Sequence, residues 1–143
     1  GSVTQPQENG GGGQGTSYGK RGGGVLRLIA DTIDLQGTAA IRADGTSTSG
    51  NDHPGAGGSV WITADAITGT GVIEASGGHA DWDPGAGGGG AIAIEYGVMD
   101  PAIGAGLRSI GGNNANNSSK ADDDENATIP MYLSQSLHRH RHR

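Results

Sequence analysis

Two phrases constrain this chain more than anything else in it: HPGAGGSVWITAD at His53–Asp65 and DPGAGGGGAIAIEY at Asp83–Tyr96. In each, a Pro-Gly turn leads into a glycine run, and the run ends in an apolar/polar alternation. Wider alignment gives three units: GGVLRLIADTIDLQGTAAIRADG (Gly23–Gly45), GGSVWITADAITGTGVIEASGG (Gly57–Gly78) and a degenerate GGAIAIEYGVMDPAIGAGLRSIGG (Gly89–Gly112). The residue after Gly-Gly-x is Leu26, Val60 and Ile92, so the spacings are 34 and 32. Repetition at such a period marks units that bury their apolar faces by stacking on one another.

Within each unit the pattern reads as two strands. Val60, Ile62 and Ala64 alternate with Trp61, Thr63 and Asp65. Gly69 and Gly71 then break the chain, and Val72–Ala75 alternates again. The first unit repeats this with Leu26, Leu28 and Ala30, then Ile41 and Ala43. A period of two with β-branched residues means half-buried strands, and no window shows a capped helical period. The expectation is an all-β chain forming a short parallel β-solenoid of about three glycine-rich rungs. The glycines before each strand are expected to supply corners with φ > 0 and close packing between rungs. A polyglycine-II-like bundle, using runs such as Asn9–Gly15 and Gly85–Gly90, and a β-sandwich are the alternatives.

Composition agrees with a thin core. Of 143 residues 30 are glycine, none is Phe or Cys, and hydrophobic residues reach only 32%. The length suits one domain. It divides into a polar glycine-rich segment or cap (1–21), the repeat region (22–112), an acidic loop with a C-terminal cap (113–137), and an ending HRHRHR (138–143) that reads as a purification tag. Gly1-Ser2 reads as a cloning scar. The apolar patch Ile129–Leu133 is expected to cover the open end of the stack. Net charge is −6, of which Arg139, Arg141 and Arg143 supply +3, so the remainder carries −9. An acidic chain repels phosphate backbones, which argues against nucleic acid as a partner. No apolar run approaches the roughly 18 residues of a membrane span.

The phrases GGSVWITADAITGTGVIEASGG and GGVLRLIADTIDLQGT resemble glycine-rich repeats of large bacterial surface and secreted proteins. They are also similar to the β-helix repeats of filamentous-haemagglutinin-type adhesins. The resemblance covers about Gly22–Gly112 and carries no catalytic signature. It implies an extracellular or cell-surface parallel β-helix serving as adhesin, stalk or matrix component, and a chain cut from a larger protein.

Candidate chemistry gathers in the loops. Trp82 lies between Asp81 and Asp83, with His79 just before. An indole flanked by carboxylates suits sugar stacking with hydroxyl hydrogen bonds, and the competing reading is a Trp plugging the edge of the stack. Asp52, His53, Asp81 and Asp83 fall in two successive inter-unit loops, where stacking would bring carboxylates together for calcium or, with imidazole, another metal. Solvated turn residues are the plainer reading. Asp31 and Asp65 recur after the first strand, as turn or cap residues would. No paired-acid, nucleophile or phosphate-loop context appears. The expected function is therefore a non-enzymatic structural or adhesive repeat module without a cofactor, calcium apart. The alternatives are a carbohydrate-binding module and a self-assembling filament subunit, so the partners are surface glycans or further copies of the chain.

Overall fold

The computed structural model of the chain describes residues 4–13, 20–48, 53–80, 86–113 and 131–136. In chain order its elements are β1 (Val25–Leu35), β2 (Ala40–Arg42), β3 (Ser59–Gly69), β4 (Val72–Glu74), β5 (Ala91–Met99), a short helix α1 (Pro101–Ala105), β6 (Leu107–Arg108) and β7 (Met131–Gln135). The protein is all-β in character, and every strand pair is parallel. The long strands form one sheet in the order β1-β3-β5-β7, and the short strands form a second in the order β2-β4-β6.

The register follows the sequence repeat. Leu26 lies opposite Val60, and Val60 opposite Ile92, the three anchors of the alignment. Each apolar position therefore stacks on its equivalent: Leu28, Ile62 and Ile94 form one column, and Ile41, Ile73 and Leu107 another. Inner residues of both sheets join one core, in which Val60, Ile62, Ile67, Ile73, Ile92 and Ile94 are fully buried. Met131 extends the Leu26 column by pairing with Ile92, so the last apolar patch adds a fourth parallel strand. In the third unit the turn between strands is lengthened into α1, with Pro101 in its first turn and Ile103 buried in the core. A helix of one turn is too short to show a period, so alternation reveals nothing of it.

Each long strand breaks its alternation at the same level. Ala30 and Ile33 both face the core, so the alternation slips at Asp31–Thr32; Ala64 and Ile67 repeat the slip around Asp65. Tyr96 pairs with Ala64, which puts Gly97 level with the two aspartates.

Glycine segments fill the rest of the cross-section. Segments 20–24, 53–58 and 86–90, each preceding a long strand, form one row. Segments 43–48, 75–80 and 109–113, each following a short strand, form a second. Gly55 and Gly58 donate to Thr46 O (3.1 Å) and Ala43 O (2.7 Å), Ala56 donates to Gly11 O (2.9 Å), and Gly57 to Gly88 O (2.9 Å). Residues three apart thus bond to the same neighbour and those between bond to others, the behaviour of an extended chain with three residues per turn. Gly87 and Gly90 repeat it one unit on, donating to Gly78 O (3.0 Å) and Ala75 O (2.6 Å). The glycine runs Asn9–Gly15 and Gly85–Gly90 contribute their described residues to this network.

Glycine serves contact here more than conformation. Among the described glycines φ is positive only at Gly37 (58°) and Gly69 (105°), where the long strands β1 and β3 give way to turns. The expected positive-φ corners before the strands are absent there. What those positions need is the missing Cβ: one built on Gly23 would strike Ala43 O, on Gly57 Ala75 O, and on Gly89 Ser109 O. It is the same row-to-row contact in each unit.

Gly57→Ala should therefore destabilise the fold by about 3 kcal/mol or more, since carbonyl and Gly90 N both block the new methyl. Gly88→Ala, where a Cβ meets nothing within 4 Å, should stay within about 0.5 kcal/mol of the parent. Denaturant unfolding of both variants checks the contrast.

Candidate functional site

The loops that the sequence singled out begin at one end of the glycine rows. Thr48 and Ala80 form a parallel bridge there, with Thr48 N donating to His79 O at 2.9 Å. Stacking thus brings the bases of the two inter-unit loops together. Asp52, Asp81, Trp82 and Asp83 lie outside the described residues. Their neighbours His53 and His79 are both exposed.

His79 belongs to a ladder that crosses the three units. Its backbone N–H donates to Ser47 Oγ (2.9 Å), and its Nδ1 accepts from Asn113 N (2.9 Å). In each step a side chain satisfies the backbone of the equivalent residue one unit on. A parallel ladder joins Asp44 Oδ1 to Ser76 N (2.8 Å) and Ser76 Oγ to Ile110 N (3.4 Å). With Nδ1 accepting, the neutral imidazole carries its proton on Nε2. That nitrogen is a donor suited to a hydroxyl acceptor, and it is not an open lone pair for a metal. Among the described residues no group of three His, Cys, Asp or Glu side chains is gathered.

A charged row runs across the short-strand sheet. Register pairs Arg42 with Glu74 and Glu74 with Arg108. Arg42 Nε lies 2.9 Å from Glu74 Oε1 and 3.8 Å from Asp44 Oδ2. These arginines look scattered in the sequence; the repeat offsets of 32 and 34 place them either side of one glutamate. Burial pushes the Asp44 carboxyl above its usual range, and neighbouring Glu74 adds to this, while the Ser76 N–H and Arg42 pull the other way.

The outer face of the long-strand sheet holds Trp61, opposite in sense to Val60 and Ile62. The ring is half-buried. The Arg27 guanidinium sits 3.7 Å from its centroid, and Arg27 also donates to Trp61 O at 3.2 Å. This stacked cation covers one ring face and ties Trp61 to the preceding unit. Thr63 Oγ1 donates to Glu95 Oε1 (3.0 Å) in the next row.

Compared with known proteins, the chain matches no family model, no curated protein and no solved structure.

Asp44 gives a pH signature. A carboxyl raised in the fold contributes stability that is fully present below the unfolded value and lost as pH rises through the raised one. Asp44→Asn keeps an acceptor for Ser76 N and removes the charge. Its gain in Tm over the parent should therefore be larger near about pH 7 than near about pH 4; an equal gain at both would show that Asp44 titrates normally.

Proposed function

We propose that this chain is a non-enzymatic structural or adhesive repeat module of an extracellular surface, built as a short parallel β-solenoid with one wall of packed glycine segments. The observation that carries this reading is the serial register. Both sheets and both glycine rows repeat with the same unit offsets, so each unit presents its backbone to the next. Such an architecture suits a stiff spacer that displays loops at one end. The resemblance of the repeats to those of surface adhesins supports it.

Self-assembly is a second reading, favoured by the β1 edge. β1 is the end strand of its sheet, with eleven residues, and Ile29 on it is 70% exposed. Among the described residues no strand pairs with its outer edge, and an open edge of that length is a template for another strand.

Two measurements separate the readings. Beads carrying the chain should be retained under flow on glycan- or matrix-coated surfaces better than beads carrying an inert protein; equal retention would overturn the adhesive role. Sedimentation over a range of concentrations should show a monomer if the chain is a spacer. Polymers that disappear in Ile29→Lys would instead establish the filament subunit.

A further inference from the structure

Segment 6–13 carries the only Asn-Gly dipeptide in the chain, Asn9-Gly10. In such a pair the glycine nitrogen can attack the asparagine side chain, because glycine has no Cβ to obstruct the approach or to restrict the backbone. A bond forms between Gly10 N and Asn9 Cγ, and the bond from Cγ to Nδ2 breaks. Ammonia leaves with the Gly10 amide proton, and a five-membered succinimide remains. Water then opens the ring. Attack at Cγ gives aspartate in an ordinary backbone. Attack at the main-chain carbonyl gives isoaspartate, whose backbone runs through Cβ and Cγ and is one atom longer.

The fold decides when this reaction can start. Asn9 is exposed, so its side chain is open to water. Gly10 is held. Its N–H donates to Gly23 O at 2.8 Å, and its backbone packs so closely that a Cβ there would strike Ala56 O. A nitrogen whose proton is engaged, in a backbone that cannot turn, does not attack. The segment is anchored on both sides of the pair as well: Ser59 Oγ donates to Glu8 O (2.6 Å) and Ala56 N to Gly11 O (2.9 Å). The attack therefore requires 6–13 to lift from the pair 20–24 and 53–58, a local opening of the kind that peripheral segments undergo.

We propose that Asn9 is a spontaneous modification site, and that its isoaspartate form is a one-way latch that holds segment 6–13 off the pair 20–24 and 53–58 once it has lifted. The anchors give the reason. Glu8 meets Ser59 and Gly11 meets Ala56, so the span from 8 to 11 matches the span from 59 to 56. The 9–10 link lies inside the first span and nothing changes in the second. One extra backbone atom breaks the match, and the bonds to Ser59, Gly23 and Ala56 cannot all form again. None of these three anchors uses the Asn9 side chain, so the aspartate form keeps them. Docked chains are protected, opened chains are converted, and converted chains stay open. The latch does not rest on the spacer reading, since it concerns the hold of 6–13 on the stack whatever the stack displays.

The test ages the full chain at mildly alkaline pH beside a free peptide of residues 4–13. Peptide mapping by mass spectrometry follows conversion at Asn9, and the aspartate and isoaspartate forms of the chain are separated by chromatography. Conversion in the folded chain should be measurable and at least about tenfold slower than in the peptide. Ser59→Ala, which releases Glu8 O, should speed it, and urea below the global transition should do the same without a substitution. The isoaspartate form should lose hydrogen-exchange protection at Ala56 N and fall in Tm. The aspartate form should match the parent in both, and Asn9→Gln should age without change. A folded chain that converts as fast as the peptide overturns the proposal, as does one that stays unconverted, with or without urea, while the peptide converts fully. An isoaspartate form that keeps the parent Tm and the protection of Ala56 overturns the latch.

Discussion

Direct contact between glycine backbones is the constraint on which the rest of this structure depends. The core is too thin for apolar burial alone to set the distance between the two glycine rows, since its large side chains are mostly a few isoleucines. Instead, Gly23, Gly57 and Gly89 each bring a backbone against the carbonyl of the row behind. That approach fixes the distance between the rows, and the rows carry the long strands that follow them. Adding one methyl group at these positions would force apart two backbones, which have no flexible end to give way.

The close rows also change where polar groups find partners. In an ordinary sheet each residue bonds sideways to two strands. Here a segment such as 53–58 distributes its N–H groups among three neighbours. Buried peptide groups are thereby satisfied without side chains, which is what permits a chain so poor in large residues to bury its backbone. Where side chains do take part, they act between units: Ser47, His79 and Ser76 each meet a neighbouring unit's backbone. Asp44 shows the cost of the same economy, a partly buried carboxyl next to Glu74 that is eased toward its neutral form.

Much of the scaffold was legible in the sequence because it obeys simple periods. Alternation of Val60, Ile62 and Ala64 located a strand and its inner face, and the 34- and 32-residue spacings gave the pairing of Leu26, Val60 and Ile92 residue for residue. The same offsets, followed into the second strand, would have found Arg42, Glu74 and Arg108 in one row. Other features left no such trace. α1 is a single turn. The reason for each glycine is ambiguous in a sequence, since a left-handed corner and a close backbone contact both demand the residue. Gly37 proved to be the first kind and Gly57 the second. The charge of Asp44 is likewise decided by what surrounds it.

The sequence by itself determined the strands, their inner faces and the order in which units stack, because alternation and a constant repeat are local properties that survive any packing. Only the tertiary structure decided which glycines touch and how the segments are arranged in two rows with 6–13 laid outside them. Those outcomes depend on which backbones lie side by side. A residue without a side chain carries no mark of its neighbour until the chain has folded.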